Sequence, residues 1–301
     1  TNGVYYACYS MAVFVFAWFL RGLKNGAFLD LHLFNVTFLC AIIIAVLGIL
    51  YFPSFLYWSE HGFNHQVANR DAAGSEYHAL HIIDLLLPIS NHYVAYFAKL
   101  NMMFAEALGG GGERNSESMG VIGAIGFIFL LLWILAKSQS SENSFVQKTI
   151  QKFSLTSQEE GVISTLSGLN LLSVLFATVG GLVMFIALPF PLLRSHARFC
   201  IFIVFFSLFL MALLFDKLSR DRIIAKFIII AVTVLAIFDQ IGNVDFVARK
   251  RMQKNFEYDS QFVRQIEATI EPNSQIFVMP VFGFPEEGGD DYESLIFYLH
   301  S

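Results

Sequence analysis

Charge is what this chain has least of. Of its 301 residues only 14% are Asp, Glu, Lys or Arg, while 56% are apolar; soluble globular domains carry about 25% charged residues. The shortage excludes an ordinary soluble domain and points to a membrane protein. The formal net charge of -5 is modest, and no basic stripe is present, so nucleic-acid binding has no electrostatic support. Cysteine is scarce as well. Cys8, Cys40 and Cys200 are the three in the chain, each inside an apolar run without ligand spacing, which argues against a disulfide framework and against zinc. The four glycines of "EALGGGGERNSESMG" are followed by no Lys-Ser/Thr pair and preceded by no strand, so they form a hinge and not a phosphate-binding loop. No internal repeat is visible. With no initiating Met and an abrupt stop after a strand-like segment, the chain reads as a fragment open at both ends.

What is abundant is long apolar runs. A bilayer core about 30 Å thick takes roughly 17 to 25 apolar residues per helix, because backbone polar groups there must be satisfied internally. Six stretches qualify: Val4–Leu20, Leu33–Phe52, Met119–Ala136, Leu166–Leu188, Phe199–Phe215 and Ile223–Ile241. Lys226 lies one turn inside the last and can snorkel. Basic residues in short loops set orientation. Lys217, Arg220, Arg222 and Lys226 between the fifth and sixth spans, with Arg21, Lys24, Lys137, Lys148 and Lys152, mark the cytoplasmic side, and the segment 57–118 then lies outside. "RKRMQK" after the sixth span runs against this order. The expected architecture is an all-α polytopic membrane domain over 1–245, carrying an interfacial helix in its external segment, followed by the start of an extracytoplasmic α/β domain over 246–301. In that tail Phe262, Ile266 and Ile270 recur every four residues behind Asp259 and Ser260, which can cap a helix start, and "QIFVMPV" reads as a strand.

The stretch "GSEYHALHIIDLLLPISNHY" is the most unusual in the chain. On a helical wheel Tyr77, His81 and Asp84 share one arc, and Ala79, Ile82, Ile83 and Leu86 the opposite one, which predicts an amphipathic helix lying on the bilayer surface. His61, His65, His78, His81 and His92, five of the eight histidines, fall on the external segment among Glu60, Glu76 and Asp84. Such a cluster suits acid–base or metal chemistry. Its spacings match no zinc signature, and interfacial packing of the individual histidines is the plainer reading.

Other polar features stand beside it. In "LPFPLLRSHARF", Arg194 and Arg198 are four apart, so that on a helix both guanidinium groups face one way; they hold either a phosphate or pyrophosphate group or ordinary lipid headgroups. Glu113, Arg114, Asn115 and Glu117 precede the third span at the mouth of the bundle. Glu286, Glu287, Asp290, Asp291 and Glu293 have the chemistry for a divalent cation, but not the order of an EF-hand loop, and read as a solvated charge run. Gly180 and Gly181, with Ser173, are expected to allow close packing within the fourth span. Asp239 is expected at the outer interface.

Taken in order, "NGVYYACY", "SEYHALHIIDLLLPISNHY", "NSESMGVIGAIGF", "LSGLNLLSVLFATVGGL", "RSHARFCIFIVFFSLF", "FDQ" and "YDSQFVRQIEATI…FVMPVFGFPE…YESLIFYLHS" resemble successive blocks of a bacterial polytopic family labelled sugar translocase-like or phosphoglycerol transferase-like. The architecture of that family is similar to GT-C glycosyltransferases. The resemblance implies a multi-pass protein of the bacterial inner membrane with its tail outside, and a transferase taking a sugar or related group from a polyprenyl-phosphate-linked donor. Its partners would be membrane lipid and that donor. It carries over Glu76, Tyr77 and Pro88, Asn115 and Glu117, Arg194 and Arg198, and Pro285 and Glu286. His78 and His196 depart from the family pattern. The candidate catalytic groups are Glu76, His81 and Asp84; Arg194 and Arg198 would hold the lipid phosphate; Tyr77, His78, Asn115 and Glu117 would line the substrate mouth. No resident metal site is assigned, and a divalent metal stays open as cofactor. A translocase of lipid-linked sugars and a non-catalytic membrane anchor are the alternatives.

Overall fold

The computed structural model describes residues 2–62, 72–107, 117–137, 145–188, 195–219, 223–243, 246–271 and 274. Six helices are long and apolar enough to cross a membrane. They are α1 (Asn2–Asn25), α2 (Leu31–His61), α6 (Gly120–Lys137), α8 (Ser157–Ala177), α10 (Cys200–Ser219, entered through a 3₁₀ turn at His196–Phe199) and α11 (Ile223–Gln240). Shorter helices join them: α3 (Ala72–Tyr77), α4 (Ile82–Leu86), α5 (Ala95–Ala107), α7 (Phe145–Phe153) and α9 (Met184–Ala187). The chain is a helical multi-pass membrane protein. Two compact units are distinguished, residues 1–62 with 70–242, and residues 63–69 with 243–301.

α8 is the centre of the first unit, packing against α1, α6 and α10, while α11 rests on α6 and α10 and α2 meets α1. Two apolar clusters fill the interior. One, around Tyr9, Phe127, Phe176, Phe199 and Ile203, lies where α1, α6 and α10 begin. The other, around Trp133, Ile163, Phe206 and Leu210, lies toward the opposite end. Close approach of α6 to α10 requires Gly126, since a Cβ there would collide with the Ser207 carbonyl oxygen. No residue of α2 is buried, as befits a helix whose sides are apolar all round and face lipid.

Each end of the bundle is defined by its contacts. At one, Lys137 pairs with Glu160 at 3.2 Å and Lys217 with Glu159 at 2.8 Å, beside the Thr156–Glu159 capping box that starts α8. Arg21 and Asp30 pair at 3.4 Å, and Asp30 Oδ1 accepts the His32 and Leu33 amides to begin α2. At the other end lie α3, α4 and the starts of α6 and α10. The alternation of spans inferred from the basic loops agrees with this separation.

Four expectations are corrected. The fourth span is Ser157–Ala177, not Leu166–Leu188; the capping box starts it early and a turn through Gly180, at φ 67°, stops it. Gly180 and Gly181 therefore lie beyond the span and do not pack inside it. The external stretch is not one amphipathic helix: it breaks at residues 78–81 between α3 and α4. Ala79 is buried and Ile82 exposed, so the projected apolar face does not exist. Finally, α12 (Phe246–Thr269) runs straight through Asp259 and Ser260, which cap nothing. α2 also continues through Pro53 to His61. The strand expected at "QIFVMPV", the glycine hinge and the acidic run fall outside the described residues.

Candidate functional site

Breaks in two helices are what build the site. α8 ends at Thr178 because the chain turns back on itself: the Gly181, Leu182 and Val183 amides donate to the carbonyls of Thr178, Leu175 and Phe176 at 2.7, 2.8 and 3.2 Å. Those bonds satisfy the last carbonyls of the helix, which would otherwise be orphaned. A Cβ on Gly181 would stand 2.5 Å from the Thr178 oxygen, so only glycine fits. The freed edge at Thr178 is then paired with the break between α3 and α4. Leu80 lies in a parallel bridge beside Thr178, donating to Ala177 at 2.9 Å and accepting from Val179 at 3.2 Å. A third segment joins where the Ala197 amide donates to the His78 carbonyl at 3.0 Å. Non-helical backbone inside a membrane protein is tolerated where it is enclosed by protein or lines a polar cavity, and broken helices are the usual frame of transport and transfer sites.

Side chains at this junction carry unspent polar capacity. Glu76 Oε1 accepts the Gly180 amide at 2.8 Å, which ties α3 to the glycine turn, while its Oε2 is buried without a hydrogen-bond partner among the described residues. His196 is fully buried, and neither ring nitrogen has a partner among the described residues. Its backbone is firmly held, since the Tyr9 hydroxyl donates to the Ser195 carbonyl at 2.7 Å and Phe199 packs against Tyr9 and Phe176. An unsatisfied buried polar group costs about 1–3 kcal/mol, and such groups are few in native proteins. A neutral imidazole offers one donor and one acceptor, which is the complement of a hydroxyl group. Arg198 sits half-buried with its guanidinium carbon 5.3 Å from the Tyr5 ring centroid, a cation–π contact that fixes the charge at the start of α1.

The residues singled out in the sequence divide into groups. Glu76, His78 and Arg198 belong to the three segments of the junction. Tyr77 is exposed, its ring edge-on to His78 at 5.1 Å. His81 precedes α4, and its carbonyl accepts the Asp84 amide at 3.0 Å; with the break at 78–81, these two lie on a different helix from Tyr77. Glu117 is buried in the segment that leads into α6. Asn115 and Arg194 lie outside the described residues. His196 was missed as a site, although its place between two arginines, in a pattern it departs from, was the signal.

A second polar knot holds the same end of the bundle. Asp239, at the end of α11, accepts the Val121 amide at 2.8 Å and meets His92 Nε2 at 3.2 Å. His92 Nδ1 accepts the Val94 amide at 2.9 Å, so the ring proton is on Nε2 and donates to Asp239. Asn101 Nδ2 donates to the Pro88 carbonyl at 2.7 Å, and Ser118 Oγ to that of Leu87 at 2.6 Å. These bonds connect α5, the loop after α4, α6 and α11. Among the described residues no three His, Cys, Asp or Glu side chains converge to hold a metal ion.

The fold and the junction together define a class: a polytopic helical membrane protein with a polar, broken-helix site at one end of its bundle. No family model, curated protein or solved structure matches the chain.

Proposed function

We propose that this chain is the membrane portion of a GT-C-type transferase. It moves a sugar or related group from a polyprenyl-phosphate-linked donor to a cell-envelope acceptor on the outer face of a bacterial inner membrane. The observation that carries the reading is the presence in one junction of broken helices of a buried carboxylate oxygen, Glu76 Oε2, and a buried imidazole, His196, neither with a hydrogen-bond partner among the described residues. Near His196 in the chain, Arg198 supplies positive charge for the lipid phosphate, and Arg194, outside the described residues, is the second candidate for it. In the transfer step the bond from the sugar's anomeric carbon to the phosphate oxygen breaks, and the phosphate leaves with the electron pair. The acceptor oxygen forms the new bond and gives its proton to a carboxylate or imidazole, with Glu76 and His196 at the junction, and His81 and Asp84 at the start of α4, as the candidates. Tyr77, His78 and Glu117 are the candidates for the substrate entrance, together with Asn115, which lies outside the described residues.

The test is transfer by the reconstituted full-length protein from a radiolabelled polyprenyl-phosphate sugar. Each charge-assisted bond to phosphate is worth about 1.5–3 kcal/mol, so Arg194→Ala with Arg198→Ala is expected to cut donor use by at least about tenfold. Undiminished transfer by the double variant removes the arginines from the reaction. A translocase is the second reading, favoured by Asn170, which is fully buried in α8 with both amide atoms unpartnered among the described residues. Polar groups inside a bundle mark transport paths in other membrane proteins. Flipping of the lipid-linked sugar without any covalent product would select it.

A further inference from the structure

α12 distributes its charge unevenly. From Arg249 to Phe256 it carries Arg249, Lys250, Arg251 and Lys254 and no acid; from Glu257 to Thr269 it carries Glu257, Asp259 and Glu267 against Arg264 alone. Exposure also varies along one side of it. Met252 and Phe256 are one turn apart on the same side and are 72% and 55% exposed, whereas Val263, two turns further along that side, is 5% exposed. The basic half thus exposes Met252 on this side of the helix, while the acidic half buries Val263 on it. Five residues separate Gln240, the end of α11, from Phe246, and they reach at most about 20 Å between the flanking Cα atoms. The basic half therefore starts close to where the chain leaves the membrane.

We propose that Arg249–Phe256 is an anionic-lipid site. Its guanidinium and ammonium groups pair with headgroup phosphates, and Met252 and Phe256 enter the boundary between headgroups and acyl chains. A basic cluster next to a span, with apolar residues on one helical face, is the combination that binds anionic membrane surfaces. The acidic second half is repelled by the same surface, so contact ends near Phe256 and the rest of the tail is held off the bilayer. This also accounts for the basic run that opposes the charge order of the short loops, because the run answers to headgroups and not to topology.

The experiment uses the full chain with Cys8, Cys40 and Cys200 replaced by Ala and Met252→Cys carrying an environment-sensitive fluorophore. The protein is placed in nanodiscs of phosphatidylcholine with or without phosphatidylglycerol, each with a lipid-borne quencher. Quenching several-fold stronger in the anionic discs, and lost at high salt or in R249Q/K250Q/R251Q/K254Q, is the expected result. Equal quenching in both lipids would show that apolar insertion alone holds the helix. Absence of quenching in both would show a solvated helix or one covered by protein. Either outcome overturns the proposal. The salt arm needs no variant, so a folding defect in the fourfold substitution cannot mask the answer.

Discussion

Replacing Asp239 by Ala puts the second polar knot to a quantitative test. The carboxylate does two things: Oδ2 accepts the Val121 amide at 2.8 Å, and Oδ1 accepts His92 Nε2–H at 3.2 Å, with side chains 15% and 7% exposed. The first contact caps α6, and losing a cap costs about 1 kcal/mol. A negative group at a helix N-terminus adds about 0.3–1 kcal/mol. Orphaning the buried His92 N–H adds about 1–3 kcal/mol. Summed, Asp239→Ala should destabilise the bundle by about 2–5 kcal/mol, a fall in melting temperature of roughly 5–15 °C for a unit of this size. Thermal unfolding of the detergent-purified protein reads this directly. The cycle with His92→Leu separates the parts: in that background Asp239→Ala should cost only the capping share, about 1–2 kcal/mol. A loss within about 0.5 kcal/mol, the range of an ordinary surface change, would refute the reasoning. So would an equal loss with and without His92.

Other outcomes follow from the same geometry. Gly126→Ala should destabilise by about 1–3 kcal/mol through overpacking against Ser207 and Met211, whereas Gly161→Ala, with nothing within 4 Å of its Cβ, should stabilise by up to about 1 kcal/mol; both are read as melting temperatures. His196→Leu removes a buried group without partners among the described residues, so melting should be unchanged or raised while transfer from the lipid donor is lost, and a marked loss of stability would mean that the ring is structural. Desolvation, the largest single effect, raises the Asp30 pKa, but the Leu33 amide, Arg21 and the His32 amide together outweigh it and hold the carboxyl below its ordinary value. Its contribution to the start of α2 is therefore full above about pH 4 and is lost as pH falls through the lowered value. Amide exchange at residues 32 and 33 should accelerate over that window, and Asp30→Asn should flatten the response.

The spans were legible because lipid imposes one rule, internal satisfaction of the backbone, on every crossing segment. Where that rule was the only constraint, as in Leu31–His61 or Ile223–Gln240, apolar run and helix coincide to within a few turns. The fourth span slipped because "SQEEGVIST" looks too polar to be helix in a bilayer, and the residues after Ala177 look apolar enough. What decides against the latter is tertiary: the pairing of Leu80 with Thr178 and the left-handed Gly180. Leu80 also explains the failed amphipathic helix, since the periodicity of 74–87 has no way to record a bridge to a segment a hundred residues away. Glu76 and Arg198 were legible as polar residues at unusual places. For His196 the sequence offered only its place between two arginines, since full burial without a partner among the described residues is not encoded by spacing.

The two ends of the bundle, with the broken-helix junction at one and the lysine–glutamate pairs at the other, must face opposite sides of the membrane. In a background lacking Cys8, Cys40 and Cys200, single cysteines at the exposed positions Tyr93 and Lys148 should be labelled by a membrane-impermeant maleimide from opposite sides of sealed vesicles. Labelling of both positions from the same side would contradict the arrangement of the spans and every assignment built on it.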